Sequence, residues 1–173
     1  MRTFISIDIP EKIKKEIIKI QNQLSNFKGK LIEFENLHLT LKFLGEIDEE
    51  KLSETKKRLK NVSSNKFEAE IDSIGVFSED FIKIIWLRIR NCDELQKQID
   101  EKLRGIFRKE DRFMSHLTIA RVKNVKDKKK FLNELNKMKI LPMKFIVNDF
   151  NLKKSTLAEQ GPVYDIVENY RLN

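Results

Sequence analysis

Apolar residues follow two periods along the chain, that of a β-strand and that of an α-helix. Residues 3–9 (TFISIDI) alternate as they would in a strand. The helical period gives the following segment one apolar stripe: Ile13, Ile17, Ile20, Leu24 and Phe27. The same two patterns predict further strands at about 31–35, 37–44, 67–76, 81–90, 114–122, 143–152 and 163–171. Further helices are predicted after the capping residue Asp48, at about 93–107 and at about 127–139.

The strands predicted at 37–44 and 114–122 belong to a weak internal repeat. Each contains the tripeptide His-Leu-Thr, each follows a long amphipathic helix, and each precedes a shorter one. Such a duplicated αβ unit predicts an α+β fold of two similar lobes. Since no linker rich in glycine or serine separates the halves, residues 1–173 are expected to form a single domain with two pseudo-symmetric lobes.

Strand alternation predicts which side chains of each repeat face the core. In the first repeat, four apolar residues share one face: Leu37, Leu39, Leu41 and Phe43. The opposite face carries His38, Thr40 and Lys42, and a lysine there would be available to a polyanion. In the second repeat, the same alternation places His116 and Thr118 on the face away from the core.

The only histidines in the chain are His38 and His116, and each lies two residues before a threonine. Residues two apart on a strand lie roughly 7 Å apart on one face, so an imidazole and a hydroxyl can contact different atoms of one small anion. If a two-fold axis relates the lobes, both pairs converge on one cleft. Paired imidazoles suit in-line displacement at phosphorus, which needs a general base on one side and a general acid on the other. The threonine hydroxyls can then bind the non-bridging oxygens.

Composition narrows the class of protein without deciding its function. The 173 residues are 40% hydrophobic and 36% charged, which allows a core and a well-solvated surface. No apolar run approaches the roughly 18 residues of a membrane helix, and the N-terminus is predicted to be a strand rather than a signal peptide. The net charge of +8 is compatible with a nucleic-acid partner. The single cysteine, Cys92, excludes an internal disulfide and favours a reducing cytoplasm.

Other interpretations of these residues stay open. A histidine on a strand is commonly a structural residue. A carboxylate could complete a metal site with the two imidazoles, although zinc normally takes at least three protein ligands. Cys92 could act as a nucleophile if it lay beside an imidazole. Trp86 shares a strand face with Arg88 and Arg90, where it could stack on a base or serve only in packing.

Several segments of the chain resemble one family of enzymes. HLTLKFLGE and HLTIAR resemble the two HxTx motifs of the 2H phosphoesterases, and in particular of the bacterial and archaeal RNA 2′,3′-cyclic phosphodiesterases, also called 2′-5′ RNA ligases. The opening MRTFISIDIP, the central IIWLRI and the tail LKKSTLAEQGPVYDIV are similar to the matching segments of that family. The resemblance implies a bilobal, duplicated α+β fold, in which two antiparallel sheets flanked by helices form a central cleft with one HxT motif from each lobe.

The resemblance also implies roles for individual residues. His38 would be the proton donor to the leaving oxygen, and His116 would be the proton acceptor that activates water. Thr40, Thr118 and Arg121 would bind the phosphate, with no metal or nucleotide cofactor. Strict alternation places Arg121 on the core side of its strand, so a bulge, a twist or the end of the strand must bring it to the cleft.

The implied substrate is RNA with a 2′,3′-cyclic phosphate end, tRNA fragments among the candidates, which would be opened to a 2′-phosphomonoester. The protein is expected to be a cytoplasmic monomer without a membrane partner. Joining RNA ends through a 2′-5′ linkage is the reverse chemistry and uses the same groups, so the sequence does not separate the two reactions. A non-catalytic RNA-binding protein is a third possibility, for which the basic charge is the independent argument.

Overall fold

The computed structural model describes all residues from 1 to 173, and helices alternate with strands along most of the chain. The four helices are α1 (Glu11–Gln21), α2 (Glu49–Leu59), α3 (Asp93–Lys102) and α4 (Lys128–Lys137). The nine strands are β1 (Arg2–Asp8), β2 (Lys28–Leu31), β3 (His38–Glu46), β4 (Phe67–Gly75), β5 (Ile84–Arg90), β6 (His116–Asn124), β7 (Met143–Val147), β8 (Asp149–Ala158) and β9 (Gly161–Arg171). None of the helices has both the length and the apolar character that crossing a membrane requires.

The strands form two antiparallel halves that meet at one point. One half has the order β7-β4-β5-β6, and the other has the order β3-β1-β8-β9. The halves join where β3 and β6 pair antiparallel through a single register match, Leu39 with Leu117. The short strand β2 pairs with the far end of β6. The expected bilobal α+β fold with two antiparallel sheets is therefore confirmed, and the two sheets are continuous.

Each lobe completes its sheet with strands from the other half of the sequence. Strand β4 follows the first His-Leu-Thr strand in sequence but pairs with β5 in the second lobe. Strand β8 follows the second His-Leu-Thr strand but pairs with β1 in the first lobe. This exchange of strands makes the two lobes share one hydrophobic core, to which 34 buried residues from both lobes and all four helices contribute.

Some predicted boundaries differ from the structure. The single strand expected at 143–152 is two strands, because the chain changes partner after β7 pairs with β4 and before β8 pairs with β1. The strand expected at 31–35 lies earlier, at Lys28–Leu31, and a turn of 3₁₀ helix precedes β3. Helix α1 ends at Gln21, although Leu24 and Phe27 still pack against the core as its apolar period predicted.

The face assignment at the end of the first His-Leu-Thr strand was wrong. A β-bulge at Leu41 interrupts the pairing of β3 with β1, so Leu41 and Lys42 both point inward. The side chain of Phe43, expected in the core, is 68% exposed on the opposite face. Because a bulge adds one residue to one strand, it reverses the alternation beyond it.

The lysine that the bulge turns inward forms a buried ion pair with α3. Lys42 Nζ lies 2.5 Å from Asp100 Oδ1 and also donates to the backbone carbonyl of Arg108 at 2.7 Å. The other carboxylate oxygen accepts hydrogen bonds from Gln96 Nε2 and from the backbone N–H of Glu110, both at 3.0 Å. These bonds satisfy both charges inside the protein and fix the segment that follows α3.

We expect Lys42→Ala to lower the free energy of unfolding by about 3–5 kcal/mol, because it leaves the Asp100 carboxylate buried without its cation. Denaturant titration measures this change. The double variant Lys42→Met/Asp100→Leu removes both charges and should recover much of the loss. A loss no larger than that of Lys19→Ala, which breaks an exposed pair with Glu16, would contradict the structural role of the buried pair.

Candidate active site

Both His-Leu-Thr strands present their polar side chains to one cavity. Leu39 and Leu117 lie directly opposite each other in the antiparallel pair, with their side chains in the core. The residues that flank each leucine therefore point to the other face of the sheet. There His38, Thr40, His116 and Thr118 line one cavity of about 610 Å³. The predicted convergence of the two motifs is thus present in the structure.

The two imidazoles are held by equivalent hydrogen bonds. His38 Nδ1 lies 2.7 Å from the carbonyl oxygen of Asn36, and His116 Nδ1 lies 2.8 Å from the carbonyl oxygen of Met114. Because a carbonyl oxygen can only accept a hydrogen bond, Nδ1 carries a proton in both rings. In the neutral rings Nε2 is therefore left as the acceptor, and at His38 this atom lies 3.1 Å from Thr40 Oγ1. Each lobe thus offers the cavity one imidazole nitrogen that can exchange a proton.

The surroundings of His38 favour its neutral form. Its ring lies 5.1 Å from the rings of both Phe4 and Tyr164, measured between centroids. Burial lowers the pKa of His38 from 6.5 to about 4, the hydrogen bond to Asn36 opposes this shift, and the nearby Lys153 ammonium lowers the pKa further. In the free protein His38 is therefore neutral at pH 7.

Arg121 lines the same cavity because β6 contains the same bulge as β3. The pairing of β6 with β5 skips Ile119, so Ile119 and Ala120 are both buried and Arg121 is exposed on the side of His116. Strand β2 closes over this stretch, and a Cβ at Gly29 would lie 2.0 Å from the Arg121 carbonyl oxygen. A glycine is thus needed for the two strands to approach at this point. The cavity also receives Arg2 and Lys30, and Lys30 forms an ion pair with Glu33.

Aromatic residues surround both histidines. On the second lobe, Phe77 meets the His116 ring edge-on at 4.9 Å and lies 5.4 Å from Trp86. Trp86 is partly buried and packs closely on Gly75, which agrees with the packing interpretation of this residue. Sequence reasoning missed Phe43, which lines the cavity after having been assigned to the core. The internal repeat could have identified Phe43 as a cavity residue, since Phe43 and Arg121 each lie five residues after the histidine of their repeat.

Two other candidates are not part of the cavity. Lys42 points away from it into the ion pair with Asp100, so it is not available to a polyanion. Cys92 is fully buried, and burial raises the pKa of its thiol to about 12. Such a thiol is not a nucleophile at neutral pH, which excludes the alternative of cysteine–histidine catalysis.

A duplicated α+β fold with one His-x-Thr strand from each lobe in a shared cleft defines a two-histidine phosphoesterase. A family model described as LigT-like phosphoesterase matches residues 7–86 and 89–164, one match for each repeat. The chain is 42% identical over 175 residues to an RNA 2′,3′-cyclic phosphodiesterase of Methanocaldococcus jannaschii, covering 98% of this chain and 100% of that protein. The protein of the same description from Archaeoglobus fulgidus is 34% identical, with 95% and 96% of the two chains covered. The chain belongs to the LigT-like phosphoesterase family.

Solved structures agree with this fold. The chain superposes on the protein TT0787 of Thermus thermophilus with a TM-score of 0.82 at 23% identity, covering 99% of this chain and 97% of that one. It superposes on E. coli LigT complexed with 3′-AMP with a TM-score of 0.79 at 23% identity and the same coverage. At this level of identity the likeness establishes the fold alone.

We expect His38 to titrate with a pKa of about 4 in the free protein, because its ring is buried. Proton NMR of the two rings measures this, with His116→Gln to assign the signals. Tyr164→Ala removes part of the cover and should raise the pKa of His38 toward 6.5. Phe77→Ala removes a ring that lies beside His116 and Trp86 but not beside His38, so it should leave the pKa of His38 unchanged. A wild-type His38 that titrates near 6.5 would contradict the effect of burial.

Proposed function

We propose that this protein hydrolyses RNA 2′,3′-cyclic phosphodiester ends to 2′-phosphomonoesters by paired-histidine acid–base catalysis. The observation that carries the proposal is the pair of imidazoles, one from each lobe, held through Nδ1 so that both present Nε2 to one cavity. The names of the relatives from M. jannaschii and A. fulgidus support the same reaction. Binding alone does not need a paired acid and base, which argues against a non-catalytic RNA-binding protein.

In the proposed reaction, the cyclic phosphate lies between the two imidazoles. His116 Nε2 accepts a proton from water as the water oxygen attacks phosphorus. The bond from phosphorus to the ribose 3′ oxygen then breaks on the opposite side, and that oxygen takes a proton from His38 Nε2. The attacking and leaving oxygens lie in line, so one imidazole on each side of phosphorus is the arrangement that the reaction requires.

Three further side chains are proposed to hold the phosphate. Thr40 and Thr118 lie on the same strand faces as the imidazoles, where their hydroxyls can donate to the non-bridging oxygens. The guanidinium of Arg121 can bind the same oxygens through two parallel hydrogen bonds. Donors already fixed around the phosphate stabilise the charge that develops on it in the transition state.

The role of His38 as an acid depends on the substrate. In the free protein His38 is neutral, because burial lowers its pKa to about 4. In the neutral ring the proton is on Nδ1, so Nε2 has no proton to donate to the leaving oxygen. The negative charge of the bound phosphodiester favours the imidazolium and raises this pKa, so substrate binding itself would charge the acid.

The proposal also covers the domain organisation of the protein, its RNA substrate and its oligomeric state. It takes residues 1–173 as one domain of two pseudo-symmetric lobes, which the exchange of β4 and β8 between the lobes supports. The RNA is proposed to include tRNA fragments with cyclic ends, and the protein to act as a cytoplasmic monomer. A 5′-hydroxyl in place of water would give the joining reaction with the same catalytic groups.

We expect His38→Ala and His116→Ala each to lower turnover at least about 10²-fold, because each removes the proton transfer on its own side of phosphorus. The assay follows the opening of an RNA 2′,3′-cyclic phosphate in the presence of EDTA, with folding of each variant checked by circular dichroism. Cys92→Ala is the matched control, since Cys92 lies outside the cavity. Near-native turnover by either folded histidine variant would remove that histidine from the mechanism.

We expect the product to carry its phosphate on the ribose 2′ oxygen. Only the oxygen opposite the attacking water can leave, and the proposed orientation places the 3′ oxygen beside His38. Phosphorus NMR of the product against authentic 2′- and 3′-monophosphates measures the outcome. A product that is mainly the 3′-phosphate would reverse the orientation of the ribose while leaving the paired histidines in place.

A further inference from the structure

Phe43 stands between the active cavity and a second groove. Its ring lines the cavity that holds both histidines and also lines a groove of about 720 Å³ on the neighbouring surface. The ring lies 6.3 Å from that of Phe4, which in turn lies 5.1 Å from the ring of His38. A continuous path of aromatic rings therefore leads from a proposed catalytic imidazole out of the cavity and into this groove.

The position of Phe43 distinguishes the two lobes. The bulges of β3 and β6 have the same burial pattern, so Phe43 in one lobe is the counterpart of Arg121 in the other. Arg121 offers a guanidinium to an anion, whereas Phe43 offers an apolar ring that is 68% exposed. Exposed aromatic rings at the edge of a nucleic-acid site provide stacking surfaces for bases. The first lobe is thus suited to a base at the position where the second is suited to a phosphate.

The wall of the groove has a small excess of positive charge. Besides Phe43 and Leu44, the groove is lined by residues 107–112, which include three cations: Arg108, Lys109 and Arg112. The same segment contains two carboxylates, those of Glu110 and Asp111. Arg108 lies 3.5 Å from Asp111, but both side chains are largely exposed, and such a pair exchanges readily for a phosphate.

The buried ion pair fixes the backbone of this wall before any ligand binds. Lys42 holds the carbonyl of Arg108, and Asp100 holds the N–H of Glu110. Lys42 points inward because of the same bulge that turns Phe43 outward. The bulge in β3 therefore exposes the ring of Phe43 for stacking and also turns Lys42 inward, where it supports the wall formed by residues 107–112. A groove formed in advance costs less ordering on binding.

We propose that the RNA strand leading to the cyclic end leaves the active cavity over Phe43 and continues along the groove formed by residues 107–112. This inference rests on the proposed function and adds to it the path of the RNA strand, which favours an RNA oligonucleotide over a cyclic mononucleotide. A base stacks on Phe43, and phosphates of the strand bind Arg108 and Arg112. The groove has no role in proton transfer, so it acts on strand binding.

The test compares two substrates, 2′,3′-cyclic AMP and a roughly ten-nucleotide RNA with a cyclic end, at low salt. In Arg108→Ala/Arg112→Ala, kcat/KM for the oligonucleotide should fall about tenfold more than kcat/KM for cyclic AMP. The loss should appear in KM and shrink as salt is added, because it reflects lost phosphate contacts. Lys12→Ala/Lys15→Ala is the matched control, since it removes the same amount of charge from the exposed face of α1. This variant should leave kcat/KM unchanged for both substrates.

A second variant separates stacking from charge. Phe43→Leu keeps an apolar side chain but removes the aromatic face, so it should weaken binding of an uncleavable oligonucleotide with a 2′-phosphate end about tenfold, measured by fluorescence anisotropy. Equal losses for both substrates, or no loss in the double arginine variant, would overturn the inference while the proposed function stands. A wild-type protein that opens neither substrate would refute the proposed function itself, and the strand path with it.

Discussion

The antiparallel pairing of Leu39 with Leu117 is the contact on which the geometry of this protein depends. These are equivalent residues of the two repeats, and their direct opposition places the local two-fold axis between them. Because successive side chains of a strand point to opposite faces, packing both leucines in the core turns the flanking histidines and threonines to the other face. A slip of one residue in this register would bury one imidazole, so the hydrophobic core and the cavity are set by the same constraint.

The two bulges then break the symmetry that the pairing creates. Each follows its His-Leu-Thr tripeptide and turns two consecutive residues inward. In the second lobe these are apolar, and the residue turned outward is Arg121. In the first lobe they are Leu41 and Lys42, and the residue turned outward is Phe43. Lys42 requires Asp100 as a buried partner. The same β-bulge, with different side chains in the two lobes, thus gives a cleft that can bind an anion on one side and offers an aromatic surface on the other.

Alternation and helical period were sufficient to predict most of the elements and the faces on which the two motifs lie. The repeated tripeptide indicated the duplication, and the convergence of the motifs followed once a two-fold axis between the lobes was assumed. The two periods failed where pairing overrides the local pattern. The local sequence after Thr40 is equally compatible with an exposed Lys42, because most lysines are exposed. No local pattern indicates that a β-bulge adds a residue to the strand there. A bulge before Arg121 was expected only because the family resemblance places this arginine in the cleft. Assuming the same bulge in the first repeat would have placed Phe43 in the cleft as well. The break between β7 and β8 was hidden for a similar reason, because the apolar pattern continues while the strand partner changes.

The enclosure of His38 links the aromatic surface to the chemistry. Phe4 and Tyr164 remove water from around the imidazole, and this desolvation both favours the neutral ring and strengthens its interaction with any charge that enters the cavity. A phosphodiester bound there would therefore raise the pKa of His38 more than the same anion would at an exposed imidazole. In the proposed reaction, the acid would then be charged only when the phosphodiester is in place beside it. Contacts that hold the phosphate, such as that of Arg121, would thus contribute to proton transfer as well as to binding, whereas stacking on Phe43 would act on strand binding alone.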